Sequence, residues 1–470
     1  MKKPVQPMLL FLGLLAALYA SCTSPRERQA FAELKAAAPT ASRGTPARQQ
    51  ENRDLPPLEE KAGLPDYLAY AALNNPGLEA AFNRWKAALL RVPQVRTLPD
   101  PKFNYGYFIE KVETRVGPQE QKIGLSQAFP WFGKLSLRSD VALRSAEAEQ
   151  QRYEAEKRRL FHEVISAYCE YHYLHRSIAL TRENIQLVTF IETVARTRYK
   201  TDAATHADVI KTQVELGVLG DRLQSLEDLR IPALGRLNAA LGRPADALLP
   251  TPTPPPEEEV RVSSDELLTW LGQHNPDLKA LDALAAAQEA ATRLAKNSAY
   301  PDFSLGLQFI DTDRARIHGV RDSGKDPVMA TLSLNLPIWF GKYRAREREA
   351  RHRHLAALGQ RENKRNRLTV ALQKAQYQYR NAGRKIDLFR NTLIPKATES
   401  HRVTRQAFIA GKAGFLDLID TERTLLAFKL ALERALADRP QRLAEIEMLV
   451  GRELPRMPEE TPSNTREVKP

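Results

Sequence analysis

Apolar and polar residues alternate in two widely separated parts of the chain. Phe303, Leu305, Leu307 and Phe309 fall on one side of an extended backbone, with Ser304, Gly306 and Gln308 on the other. Val328, Ala330, Leu332, Leu334 and Leu336 alternate in the same way with Thr331, Ser333 and Asn335. A weaker version occurs earlier, at Phe103, Tyr105, Tyr107 and Ile109 and then at Ile123 and Leu125. Period two predicts β-strands, and segments of roughly 9 to 11 residues are long enough to cross a bilayer at a tilt. A half-buried sheet in a soluble protein gives the same alternation, so the pattern alone does not make a membrane barrel. Four strands cannot close on themselves, and a barrel would need several chains.

A different period follows each strand pair. Leu368, Leu372, Ala375, Tyr379, Ala382, Ile386, Phe389 and Leu393 step by four and three, as do Leu160, Val164, Ala167, Tyr171, Leu174 and Ile178. These heptad seams predict two very long helices, about 134–199 and about 342–407, packed with left-handed supercoiling. A helix from Lys134 to Tyr199 is on the order of 100 Å long at 1.5 Å per residue. That far exceeds a hydrocarbon core of about 30 Å, and the charged flanks require water. Such helices suit a tunnel wall or a scaffold.

The two periods recur because the chain is internally duplicated. Asn75-Pro76 answers Asn275-Pro276, Pro99-Asp100 answers Pro301-Asp302, and Gly242-Arg243 answers Gly451-Arg452. Arg138 and Ala142 correspond to Arg346 and Ala350, and Tyr199 and Asp208 to Phe408 and Asp417. Residues 64–249 and 263–454 therefore read as two repeats of one plan. Each has a first helix, a β-hairpin (about 102–129 and about 302–336), a long helix, a turn, and return helices interrupted by a proline, Pro232 or Pro440. Most of the length difference falls between residues 100 and 131 and their counterparts, which marks a variable loop. The Pro-rich run 250–262 predicts an extended connector, 22–63 a tether or surface wrap, and 455–470 a disordered tail.

Lys2 and Lys3 ahead of the apolar run Met8 to Ala20 have the layout of a secretory signal, residues 1–21. Leu18-Tyr19-Ala20-Ser21-Cys22 resembles a bacterial lipobox, with Tyr19 in place of the usual Leu, so Cys22 is the expected lipidation site. Thr23 after the cysteine implies outer-membrane rather than inner-membrane sorting. A cysteine that merely falls near an ordinary cleavage site is the alternative. The formal charge of +13 fits nucleic acid, an anionic membrane or a solvated helical exterior. Without a zinc knuckle, an RNP signature or a basic arm, and with an export signal, a nucleic-acid partner is not expected. No G-x-S-x-G, H-E-x-x-H, P-loop or dinucleotide fingerprint occurs, so no catalytic residue and no cofactor is assigned. Cys169, His172 and His175 have a metal-like spacing. On a helix they spread over about 120°, which favours packing over a ligand set, and no metal site is assigned.

The most specific repeated words are "AFPWFGK" and "LPIWFGK". Pro130 and Pro337 are expected to end a strand by removing a donor, and Gly133 and Gly341 to permit a tight bend. Trp131, Phe132, Trp339 and Phe340 suit a membrane interface, and Lys134 and Lys342 are expected to reach lipid head groups. Each block then reads as a hinge from a strand to a long helix.

With these blocks, the turns "RYKTDAATHADVIKTQ" and "AFIAGKAGFLDLIDTERTL", and the Gly that closes each repeat, the chain resembles the TolC family of outer-membrane efflux proteins over residues 64–452. The resemblance implies a mainly α fold with membrane β: a homotrimer whose protomers each give four strands to a twelve-stranded barrel, continued by a long periplasmic α-helical barrel. It implies a lipid-anchored outer-membrane protein acting with a periplasmic adaptor and an inner-membrane RND-type pump, and no enzyme activity. It also implies a pore entrance at Asp417 and Asp420, with Asp208 in the first repeat. Adaptor docking would fall at the helix-turn tips, Asp202 and Gly411, Lys412, Ala413 and Gly414. Asp417 and Asp420, three residues apart, share a helix face; they can form an acidic ring in a trimer, or be solvated acids at a helix N-terminus. Phe408 and Ala413 stand where well-studied members have a Tyr and an Arg that latch the entrance. The strand region "YPDFSLGLQFIDTD" looks like the heavy-metal branch, while drug efflux and type I secretion use the same architecture. A periplasmic coiled-coil scaffold is the reading from another class.

Overall fold

A computed structural model describes residues 24–37, 58, 61–201 and 205–456. The signal segment, Cys22, Asp202 and residues 457–470 lie outside the described residues. The elements in chain order are α1 (Pro25–Ala37), α2 (Leu64–Asn74), α3 (Pro76–Arg96), β1 (Lys102–Thr114), β2 (Gly117–Phe129), α4 (Lys134–Lys200) and α5 (His206–Leu241). The second repeat follows with α6 (Ser264–His274), α7 (Pro276–Asn297), β3 (Phe303–Thr312), β4 (Val328–Leu334), α8 (Phe340–Leu388), a π-helical turn (Phe389–Leu393), α9 (Ile394–Ile409) and α10 (Phe415–Val450). Contacts divide the chain into two units, one holding Met1–Arg43, Phe82–Gln150 and Ala280–Gly359 and the other Gly44–Ala81, Gln151–Lys279 and Gln360–Pro470.

The first unit is built on one antiparallel sheet in the order β1-β2-β3-β4. Its register places apolar residues in rows across all four strands: Phe103, Leu125, Leu307 and Ala330 in one, and Tyr105, Ile123, Phe309 and Val328 in the next. Directly paired residues share a face, so the alternation of each strand sums to a single apolar face. Much of that face is open: Tyr107 is 64% exposed, Val328 61% and Leu332 64%. The length difference between repeats is local. β1 and β2 have 13 residues each and are joined by Arg115 and Val116, whereas β3 has 10 and β4 only 7, with residues 313–327 looping between them. β4 thus stops short of the expected boundary near 336.

Residues 25–37 depart from the expected tether by forming α1. Ser24 Oγ accepts the Glu27 N–H at 3.2 Å, and the nearly buried Glu27 carboxylate meets Arg96 at 2.7 Å. That pair, with Gln150 donating to Glu33 at 2.9 Å, gives the segment a fixed seat that its composition does not disclose.

In the second unit the heptad seams are buried. Leu160, Val164, Ala167, Leu174 and Ile178 of α4, and Leu368, Leu372, Ala375, Ala382 and Ile386 of α8, are all core residues. The two repeats close identically. Asn75 donates to Ala240 O at 2.9 Å and accepts from the Leu78 N–H; Asn275 donates to Leu449 O at 2.7 Å and accepts from Leu278. Gly242 and Gly451 take φ of +74° and +84°, and a Cβ on them would lie 2.5 and 2.4 Å from the carbonyl oxygens of Asn74 and His274. The matching dipeptides at the start and end of each repeat therefore touch. The connector is extended and pinned: Tyr168 donates to Thr253 O at 2.9 Å and Val260 N–H to the Tyr379 hydroxyl at 3.2 Å.

Two helical expectations are corrected. Pro232 and Pro440 do not interrupt the return helices; α5 and α10 run through them. Pro232 is exposed, so water can satisfy the carbonyl that its missing N–H leaves free. Pro440 borders a cavity of about 240 Å³ together with Leu436, the residue whose carbonyl loses its donor. Conversely, the second long helix is not uniform. Ile394 N–H bonds Phe389 O, five residues back, just before Pro395, and this wider turn removes the clash a proline would cause in a regular α-helix.

Candidate functional site

Two regions of the chain carry the candidate residues: the helix-turn tips in the second unit and the strand-to-helix hinges in the first. At the first tip, Thr205 caps α5. Its Oγ1 accepts the Asp208 N–H at 3.3 Å, while the Asp208 carboxylate accepts from Thr205 N at 3.1 Å and Oγ1 at 2.7 Å. This reciprocal box satisfies donors that a helix start leaves unpaired. At the second tip, Gly411 takes a left-handed φ of +74° and Lys412 N–H returns to Ala407 O at 2.8 Å, ending α9. Gly414 then opens α10, and its N–H donates to the Asp417 carboxylate at 3.0 Å.

Asp208 and Asp417 are therefore equivalent cap residues, each in the first turn of its helix, where the helix dipole favours a negative charge. Asp420, one turn on, is exposed on the same face as Asp417 and lies in the field of Arg423. Arg423 itself is bound to the buried Glu215. Lys412 is exposed, and Ala413 packs partly buried on the tip core.

That core unites the tips. Phe408 is 7% exposed among Ile191, Ala195, Val209, Phe415, Leu418 and Ile419. The Arg198 guanidinium lies 4.3 Å from the Phe408 ring centroid and donates to Phe408 O at 3.2 Å. Phe408 thus makes a cation–π contact within its own protomer, at a position where the sequence departs from the polar latch of the family it resembles. Arg198 opens the turn "RYKTDAATHADVIKTQ", but its partner is 210 residues away in sequence, so the motif does not disclose the contact.

A second pair of equivalent cross-links lies just beyond. In the first repeat Gln213 donates to Glu192 at 3.3 Å; in the second, His401 faces Glu422 at 3.2 Å, and Asn184 also donates to Glu422 at 2.6 Å. Burial pushes the Glu422 carboxyl above the ordinary carboxylate range, against the opposing pull of His401, Lys429 and Asn184. The Arg196 hydrogen bond holds Glu192 below that range.

The hinges are not equivalent. Pro130 follows directly on β2, and Gly133 bends at φ of +83°. Trp131 stacks on Tyr300 with centroids 5.6 Å apart and rings inclined by 7°. Lys134, expected among lipid head groups, is 4% exposed; its ammonium bonds Asp302 at 2.7 Å and Tyr300 O at 2.8 Å. Asp302 also accepts the Trp131 N–H at 2.7 Å, so one carboxylate ties the first hinge to the start of β3. In the second repeat β4 ends at Leu334, before Pro337 can end it. Gly341 is not a bend: it lies inside α8, and a Cβ there would meet nothing within 4 Å. Trp339 and Phe340 are 71% and 67% exposed, and Lys342 is exposed with its ammonium 5.9 Å from the Tyr343 ring.

Cys169 is fully buried, and burial pushes its thiol up to about 12. His175 packs edge-on to Tyr171 at 4.6 Å. Among the described residues no group of three or more His, Cys, Asp or Glu side chains is placed to hold a metal ion, and no helix is long and apolar enough to cross a membrane.

A family model described as "Outer membrane efflux protein" matches residues 68–243 and again 267–452. Nodulation protein T of Rhizobium leguminosarum bv. trifolii is 20% identical over 422 residues, covering 83% of this chain and 85% of its own. A membrane protein from Pseudomonas aeruginosa has a crystal structure that matches with a TM-score of 0.72 at 20% identity, over 83% of this chain and 90% of that one. The outer membrane protein VceC of Vibrio cholerae matches with a TM-score of 0.68 at 17% identity, over 83% and 96%. At these identities the structural likeness is one of fold.

Proposed function

Because the chain belongs to the outer membrane efflux protein family, we propose that it is the outer-membrane duct of a tripartite efflux system. It is a passive conduit and not an enzyme, and its place is the outer membrane. In this reading three copies close a twelve-stranded barrel, and their long helices form a second barrel in the periplasm. Substrate enters through a periplasmic adaptor from an inner-membrane pump of the RND type. Cys22 carries the lipid anchor.

The observation that carries the reading is the four-stranded sheet, with an apolar face and unpaired outer edges on β1 and β4. A sheet of this kind is stable only when its edges are joined and its face is covered, and a closed barrel in lipid does both. The decisive experiment is to extract the protein from outer-membrane fractions and reconstitute it in planar bilayers. A heat-resistant trimer with conductance is expected; a monomer without conductance overturns the duct and leaves the scaffold.

The cargo we propose is heavy-metal cations, on the appearance of the second-repeat strands and on the acidic turn. Asp417 is turned back to cap Gly414, so Asp420 is the carboxylate free to face an ion. Three such residues around an aperture attract cations. Asp420→Asn should account for most of the cation selectivity lost in the Asp417→Asn, Asp420→Asn double variant, read from reversal potentials. Unchanged metal tolerance in a deletion strain would remove the cargo reading and leave the duct standing.

A further inference from the structure

Lys134 and Asp302 form a device that the duplicated chain possesses twice but completes only once. The second repeat's lysine at this position is Lys342, and the first repeat's aspartate is Asp100. Inside the protomer Lys134 is buried against Asp302, which is doubly engaged by the Lys134 ammonium and the Trp131 N–H. Lys342 and Asp100, by contrast, are both exposed, and neither has an ion-pair partner among the described residues. Asp100 stands just before β1, and Lys342 lies in the first turn of α8, the helix that follows β4; β1 and β4 are the two edges of the sheet. One half of the device is open beside each edge strand.

The strand registers agree with this arrangement. Phe103 pairs with Leu125 in the first repeat, and their counterparts Leu305 and Leu332 pair in the second. The junction between repeats pairs Leu125 with Leu307. Carrying that junction to the free edges sets Leu332 opposite Tyr105, with Leu334 opposite Phe103 and Ala330 opposite Tyr107. All of these residues lie on the apolar face, so the carried register keeps the pleat continuous, whereas a slip of one residue would turn one strand's apolar set inward.

We propose that a second copy of this chain docks on the β4 edge in this register, and that Lys342 forms an ion pair with Asp100 of the partner subunit. The pair reproduces Lys134–Asp302 between chains. It specifies which register closes the assembly, because a shift of one residue separates the charges as it inverts the apolar faces. This rests on the trimeric duct of the preceding subsection, and fixes the geometry by which it closes.

Charge reversal tests the pair in the full-length protein extracted from membranes. Lys342→Asp and Asp100→Lys, each placing like charges together, should each lower the heat-resistant oligomer recovered by about tenfold. The combined swap should restore it. Failure of the swap to restore overturns the ion pair, even where wild type is a trimer. The register is read separately by cysteine pairing in a Cys169→Ala background, where Leu332→Cys with Tyr105→Cys should cross-link between chains. Leu332→Cys with Tyr107→Cys should not. Cross-linking of the shifted pair in an intact trimer overturns this register alone, whereas a monomeric wild type overturns register and trimer together.

Discussion

The two hinges use the same words and differ in almost every contact. At the first, Trp131, Lys134 and Asp302 are locked together inside the protomer, and Gly133 makes the bend. At the second, Trp339, Phe340 and Lys342 are exposed and Gly341 is an ordinary helical residue. The repeat closures, Asn75 with Gly242 and Asn275 with Gly451, are alike to within tenths of an ångström. Closures look inward in both repeats and so face the same constraint. One hinge borders the other repeat and the other borders an edge, so duplication preserves the sequence while position decides what it does.

The sharpest way to break this contrast is to remove each lysine. Lys134→Met should cost about 2 kcal/mol of protomer stability, since Asp302 keeps some solvent but loses its main partner. Lys342→Met should fall within about 0.5 kcal/mol when unfolding is followed on dissociated protomers by far-ultraviolet circular dichroism. Equal losses would mean that the second lysine is also held internally.

The glycines should differ in sign. Gly133→Ala forces a Cβ into a left-handed backbone at a cost of about 1 kcal/mol. Gly341→Ala should stabilise α8 by about 0.5 kcal/mol, through the better helix propensity of alanine. A loss at both positions would show that the second hinge bends as the first does.

The smallest effect concerns pH at the paired cross-links. Glu422 has a raised pKa when folded, so its contribution is fully present below the ordinary value of 4.5 and is lost as pH rises through the raised value. Glu192 has a lowered pKa, so its contribution is present above 4.5 and is lost as pH falls through the lowered value. Stability of wild type relative to Glu422→Gln should therefore decline from pH 4.5 upward, and relative to Glu192→Gln should decline below it. Parallel pH profiles for the two variants would erase the distinction between the repeats.

The strands and long helices are legible in the sequence because their evidence is periodic and local. Leu368, Leu372 and Ala375 announce a buried seam wherever the rest of the chain lies. The duplication was equally legible, being a comparison of the chain with itself. The burial of Lys134 is not legible, because its partner is 168 residues away and its immediate neighbours are interfacial aromatics. The helical place of Gly341 is not legible either, since letters identical to those around Gly133 hide a difference in φ. The α1 seat depends on Glu27 meeting Arg96 across 69 residues, and a polar composition gives no sign of it. At the tips the acids are visible in the sequence but their orientation is not: Asp417 bonds back to Gly414, whereas Asp420 lies in the field of Arg423.

The Arg198–Phe408 contact bears on how an aperture made of these tips could move. It joins the end of α4 to the end of α9, so the first-repeat and second-repeat tips of a protomer share one packed core. Displacing one tip drags the other or breaks the contact. In the proposed trimer the rim would then have three independent moving parts in place of six. Loss of the arginine would return the missing degrees of freedom as noise, seen as flickering conductance before any change in mean current.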